Sequence, residues 1–169
     1  PPQRSQCETN LSRRAFLNTA TVASLTLALP RLSAAAVGLL ENPVRIGVIA
    51  DLHHDVMHDG IDRLGAFLKE MSASKPDAIL QLGDFAYPGS ENGDIINLFN
   101  QAHPRPLHVI GNHDTDAGFT KDNCIETWGM PGRYYVQNIE GIQLLVLDGN
   151  DAGSPTHKGG YATYVGKEQ

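Results

Sequence analysis

Cysteine is scarce in this chain: only Cys7 and Cys124 occur in 169 residues. Two cysteines make no disulfide framework, so cysteine usage does not mark the redox compartment. Cys124 reads as a small apolar residue. Positive charge is also in deficit, with 13 Lys and Arg against 19 Asp and Glu, a net charge of −6 and a pI near 5.5. That balance argues against a general nucleic-acid binder, which carries a basic face. It leaves a nucleotide substrate open, because a metal neutralises phosphate locally. No apolar run is long enough to span a bilayer. The longest, Ala15 to Leu29, covers 15 residues and is broken by Asn and Thr, against the roughly 20 that a membrane helix needs. Internal repeats and low-complexity tracts are missing from residue 37 onward. What remains is a globular composition, 41% hydrophobic and 19% charged, of ordinary single-domain size.

The first 36 residues read as an address. Ser12-Arg13-Arg14-Ala15-Phe16-Leu17 resembles the twin-arginine export motif. The modest apolar run follows, Pro30 ends it, and Ser33-Ala34-Ala35-Ala36 offers small residues for cleavage after Ala36. The expected products are a signal peptide over 1–36, a linker over 37–43 and a domain over 44–169. Cleavage removes four arginines and one glutamate and deepens the net charge from −6 to −9. The expectation is an exported protein, periplasmic or extracellular, delivered by the twin-arginine machinery and without a membrane anchor once cleaved. The chain opens on Pro1 and closes on what reads as the start of a helix, so it is expected to be truncated at its C-terminus.

Beyond the linker, strand and helix signals alternate. Val44–Ala50 is a nearly continuous apolar run, the mark of a buried central strand. Ile61, Leu64, Phe67, Leu68 and Met71 share one helical face, and Lys75-Pro76 closes that helix. Ala78–Leu82 reads as a second strand. Ile95 to Phe99 suggests a short helix, and Leu107–Ile110 a third strand. This β-α-β-α-β order predicts a parallel sheet covered by helices. A short helix near Lys121–Trp128 comes next. Tyr134–Val136 and Ile142–Leu147 then flank Glu140-Gly141 as a hairpin, and residues 149–160 read as loop.

Chemistry gathers after each of the three parallel strands. Asp51-Leu52-His53-His54-Asp55 follows the first, Gly83-Asp84 the second, and Gly111-Asn112-His113-Asp114 the third. Ligands bind at the carboxyl edge of open α/β sheets, so three clusters distant in sequence meet at one rim. Asp51 and His53 sit two apart on a strand-to-loop turn. Asp84 has two oxygens to share, and Asn112 offers a neutral carbonyl. This mixed nitrogen and oxygen set suits Fe, Mn or Zn and lacks the thiolates of a structural zinc site. Gly83 and Gly111 permit tight turns and close backbone approach.

The ordered trio Asp-x-His, Gly-Asp and Gly-Asn-His-Asp, spaced 33 and 28 residues apart, resembles the calcineurin-like metallophosphoesterases over residues 44–148. The resemblance implies a partial α-β-β-α sandwich, with the βαβαβ core followed by the hairpin. It implies two transition-metal ions, Fe, Mn or Zn. Asp51 and His53 would bind the first, Asp84 would bridge both, and Asn112 would bind the second. It implies that His113 protonates the leaving group and that Asp114 orients His113. The activity so implied is hydrolysis of phosphomonoesters or phosphodiesters by a metal-bridging hydroxide, on a small phosphate ester or nucleotide substrate. Stable nucleic-acid binding is not expected, and a nuclease is the weaker enzymatic reading. The later Gly-His and Gly-His-x-His motifs of the family have no counterpart here, since the only histidine after His113 is His157. A non-catalytic phosphate- or partner-binding module on a decayed scaffold is therefore the alternative.

Other polar residues carry blander expectations. His54 is expected behind the ligands or in the loop, while Asp55, His58 and Asp59 read as a solvated acidic loop. His103 and His108 read as structural, Tyr87 and Trp128 as packing residues, and His157 as surface. Half a sandwich is also expected to leave apolar sheet surface uncovered.

Overall fold

The computed structural model describes residues 43–169. The export signal expected over 1–36 lies outside the described residues. Three short parallel strands form the first sheet: β1 (Ile46–Ile49), β2 (Ala78–Gln81) and β3 (Pro106–His108), in the order β1-β2-β3. Ile46 pairs with Ala78 and Ile49 with Gln81 on one side of β2, and Leu80 pairs with Leu107 on the other. Helices α1 (Gly60–Ser74) and α2 (Gly93–Gln101) make the two crossovers. Helix α3 (Lys121–Trp128) follows. Strands β4 (Tyr135–Ile139) and β5 (Ile142–Val146) then form a separate antiparallel ribbon. The result is the α/β sandwich expected, with strand ends within three residues of the apolar runs that announced them.

Central strand β2 is buried at all four positions, which is why its sequence lacks alternation. Its residues face two layers. Ile79 enters the larger core with Leu52, Leu64, Phe85, Ile95, Ile96, Phe99 and Trp128, where the helices pack. Ala78 and Leu80 face the other way and join Leu107 and Ile139 of the ribbon. Each large apolar side chain buried here contributes about 1.5–3 kcal/mol relative to exposure. Tyr135 joins the two sheets with its hydroxyl, which donates to the His108 carbonyl (2.8 Å) and accepts from the His108 N–H (3.1 Å).

Local chemistry explains the element ends. Helix α1 stops at Lys75 in the left-handed region, its N–H returning to the Met71 carbonyl, and Pro76 forbids continuation. Helix α3 starts at a capping box: Thr120 and Asn123 satisfy each other's backbone N–H. It ends on left-handed Gly129. The β4–β5 turn places Glu140 and Gly141 at φ 46° and 89°, the signature of a tight hairpin turn.

Two expectations need correcting. Ile61 does not join the core face of α1; it is half exposed, whereas its neighbour Gly60 and Leu64 one turn on are buried. The run Val44–Ala50 is not a buried central strand: β1 stands at the edge of the order β1-β2-β3, with Val48 half exposed. Asp55 is exposed, as expected of its loop, and accepts the Tyr87 N–H (2.7 Å) and the Asn92 side-chain N–H (2.5 Å), which ties the loop after β1 to the loop after β2. The expected uncovered surface is there. On the ribbon, Val136 and Leu145 are cross-strand partners on the face opposite Ile139 and Val146, and both are more than half exposed. Val48, Leu82 and Leu147 are exposed as well.

Candidate metal centre

The carboxyl ends of β1, β2 and β3 do converge. Asp51, His53 and Asp84 each place one ligand atom within 4.8 Å of the others. His53 Nε2 lies 3.5 Å from Asp84 Oδ2 and 3.9 Å from Asp51 Oδ1. Asp51 is open to solvent, while Asp84 and His53 are partly covered. Among the described residues no lysine or arginine pairs with either carboxylate. Two convergent carboxylates beside an imidazole, with no cation among the described residues between them, fit a hard or borderline metal ion. Asn112 lines the same cleft as Asp51 and Asp84, a cavity of ≈ 440 Å³ that also touches Gly83, Gly111 and Asn150. The described residues thus present one three-residue ligand cluster with Asn112 beside it.

Backbone shape makes the convergence possible. Asp51, His53 and Asp84 all have positive φ: 54°, 47° and 51°. Left-handed conformation is uncommon for residues with a Cβ and costs free energy that the surroundings must offset. Here the loops hydrogen-bond to one another. The Asp51 N–H donates to the Gly83 carbonyl, the His53 N–H to the Asp84 carbonyl (2.8 Å) and the His54 N–H to the Phe85 carbonyl. Gly83 and Gly111 face each other so closely that a Cβ on Gly83 would collide with the Gly111 backbone, and one on Gly111 with Asp84. The two glycines are required by this contact, and Gly83 by its positive φ as well.

Asp114 proves to have a different task from the one expected. Its carboxylate is buried and accepts three backbone N–H bonds, from Asp84 (2.8 Å), Phe85 (2.8 Å) and Gly111 (2.7 Å). It stitches the β2 loop to the β3 loop and makes no hydrogen bond to the His113 ring. Burial pushes its pKa up to about 6, against the pull of those three donors. The carboxylate that does hold His113 is Asp116, whose Oδ2 lies 2.9 Å from Nδ1. Tyr161 adds its hydroxyl at 3.1 Å from the same nitrogen and donates to Asp116. The reason is local. Positions 113 and 116 lie on one short turn, where the Asp116 N–H returns to the His113 carbonyl, whereas Asp114 is drawn inward by its backbone partners.

His113 belongs to the same centre. Its N–H donates to Asp84 Oδ1 at 2.9 Å, and its ring sits edge-on to His53 at 5.2 Å. Its pKa is raised, first by the hydrogen bond to Asp116, with burial opposing and the charges of Asp84, Asp116 and Asp114 assisting. Nδ1 is engaged by Asp116 and Tyr161, and Nε2 has no hydrogen bond among the described residues. His54 packs its ring against Gly60, away from the ligands. His157 is exposed, as expected.

Sequence reasoning missed Asp116, Tyr161 and Arg63, which donates to the carbonyls of Asp51 and Leu52. Only Arg63 left a readable trace: it stands four residues after Asp59 on a predicted helix, a spacing that brings side chains together.

A family model described as calcineurin-like phosphoesterase matches residues 44–167. Among curated proteins, a cAMP/cGMP dual specificity phosphodiesterase of Mycobacterium tuberculosis (strain CDC 1551 / Oshkosh) is 33% identical over 98 residues. The match takes in 53% of this chain and 31% of the relative, so the chain spans about a third of that protein's length.

Proposed function

The chain belongs to the calcineurin-like phosphoesterases, and from that premise we propose that it is the ligand-bearing part of a metal-dependent phosphoesterase acting on phosphomonoesters or phosphodiesters. The observation that carries the reading is the convergence of Asp51, His53 and Asp84 at one sheet rim, all three in left-handed backbone. Asp51, His53, Asp84 and Asn112 would hold a metal pair, with Asp84 shared. Metal bound there supplies charge stabilisation at a phosphoryl oxygen and an activated water.

The chain's own residues account for the rest. His113 holds a proton at Nε2 for the departing oxygen, because Asp116 occupies Nδ1 and favours the charged ring. Asp114 keeps the loops bearing Asp84 and His113 in register. The mycobacterial relative's action on cyclic nucleotides makes a cyclic phosphodiester the first diester to try.

The test is hydrolysis of a chromogenic phosphomonoester, a chromogenic phosphodiester and a cyclic nucleotide by the full chain and by the whole natural protein. Each is loaded with Mn, Fe or Zn and compared with Asp84→Asn. The expected result is metal-dependent turnover lost in the variant, with the preferred ester naming the substrate class. A whole protein that takes up no metal and cleaves none of the three is instead a binding module on this scaffold.

Export is the second part of the proposal and rests on the twin-arginine-like residues Arg13 and Arg14. Changing both to lysine should leave the protein in the cytoplasm. Unaltered delivery of the double variant would remove that part.

A further inference from the structure

The turn that carries Asp51 and His53 is fastened from the helix that follows it. Arg63, the fourth residue of α1, donates from Nη1 to the Asp51 carbonyl at 3.1 Å and from Nη2 to the Leu52 carbonyl. Its Nε donates to Asp59 Oδ1 at 3.0 Å. The guanidinium therefore spends all three nitrogens within one short stretch. Among the described residues no other hydrogen bond reaches either carbonyl.

Those two carbonyls lie between the two ligands. The left-handed φ of Asp51 and His53 folds the chain so that both side chains turn toward Asp84. A turn of that shape is unfavourable for residues with a Cβ and persists only where its surroundings hold it. The N–H groups are held by the β2 loop, at Gly83 and Asp84. The carbonyls are held by Arg63 alone among the described residues. A planar fork suits two neighbouring carbonyls, whereas an ammonium presents a point charge on a flexible stem. Asp59 fixes the fork in turn and balances its charge, leaving the guanidinium no reason to compete with a metal.

We infer that Arg63 is a positioning residue for the metal-ligand pair: it clamps the Asp51–His53 turn in the shape that aims both ligands at Asp84, and Asp59 sets the clamp. The link to metal rests on the function proposed above, but the clamp itself is measurable without metal.

Full-length Arg63→Lys, Arg63→Met and Asp59→Asn are compared with wild type in two measurements. The first is amide hydrogen exchange of the metal-free chain. The His53 and His54 N–H groups, bonded to the Asp84 and Phe85 carbonyls, should exchange roughly tenfold faster in both Arg63 variants. The Ile79 and Val109 amides, bonded within the sheet, should not change. The second is Mn²⁺ titration by calorimetry, where affinity should fall roughly 10–100-fold in both Arg63 variants and less in Asp59→Asn. Asp59→Asn keeps the arginine in place, so it reports on the clamp should the Arg63 variants fold poorly. Unchanged exchange at His53 and His54 overturns the inference, and so does full protection restored by lysine. A wild-type chain that binds no Mn²⁺ sinks the proposed metal site, and the exchange result then decides the clamp alone.

Discussion

Two histidines five residues apart on the same chain live in opposite worlds. His108 ends β3 in the core, 2% exposed, with only neutral partners. Its Nε2 meets Asn100 Oδ1 at 2.7 Å and its Nδ1 meets Gln81 Nε2 at 3.1 Å, and Trp128 stacks on its ring. His113 stands at the open rim beside Asp116, Asp84 and Tyr161. Burial drives the His108 pKa down to about 3, and hydrogen bonding to Asp116 raises that of His113. One imidazole is kept neutral to satisfy a core, and the other is biased toward its charged form beside the ligands. The residue type is the same, so the difference is made entirely by what the strand end delivers it to.

The two regions are nonetheless joined. Gln81 Nε2 reaches His108 while Gln81 Oε1 accepts the Gly83 N–H at 2.6 Å. The core histidine thereby braces the residue before Asp84. Relaxed, fully paired groups hold one flank of the strained ligand loop, and Asp114 holds the other.

The largest effect that sharpens this contrast is expected at the rim. His113→Gln keeps the size and a polar tip but cannot hold the proton, so turnover by the metal-loaded protein should drop by roughly 10²–10⁴-fold. Metal affinity and melting temperature should stay near wild type, because the His113 contact to Asp84 is made by its backbone N–H. A variant that melts early or loses metal would mean that His113 is a scaffold residue like His108.

Much of this contrast is legible in the amino-acid sequence. Central strand β2 announces itself as an apolar run because it is covered on both faces, whereas the equally apolar run of β1 belongs to an edge strand that leaves Val48 half exposed. Asp51, His53, Asp84 and Asn112 are legible because a βαβαβ order forces successive strand ends to one rim. Which acid serves which partner is not. Asp114 and Asp116 differ only in where a short turn sends them, and for Asp114 that depends on N–H groups about 30 residues away. The Arg63 clamp depends on carbonyls eleven and twelve residues back in the chain, aimed by a turn whose shape no local pattern announces.

The smaller effect tests the core. His108→Leu removes the partner of half-buried Asn100 Oδ1 and one partner of buried Gln81 Nε2, and leaving such groups unpaired costs about 1–3 kcal/mol. At pH 7 the variant should be less stable than wild type by that order, read from denaturant or thermal melts. The gap should then close with acid. In the unfolded chain His108 takes up a proton near its ordinary pKa of 6.5, but in the folded chain not until about 3. Between those values the unfolded state binds more protons, so wild-type stability falls as pH falls, with the full benefit present only above the unfolded pKa. The loss amounts to about 2 kcal/mol by roughly pH 5. Leucine has no proton to bind and suffers none of it. Asp114 works in the other direction, since its folded pKa of about 6 lies above the ordinary 3.8 and acid favours its folded form. That contribution is common to both proteins and cancels in their difference. Wild type and variant should therefore converge near pH 5, whatever either curve does alone. A stability gap that stays constant from pH 7 to pH 5 would show that His108 is not held neutral by its surroundings, and the contrast between the two histidines would collapse.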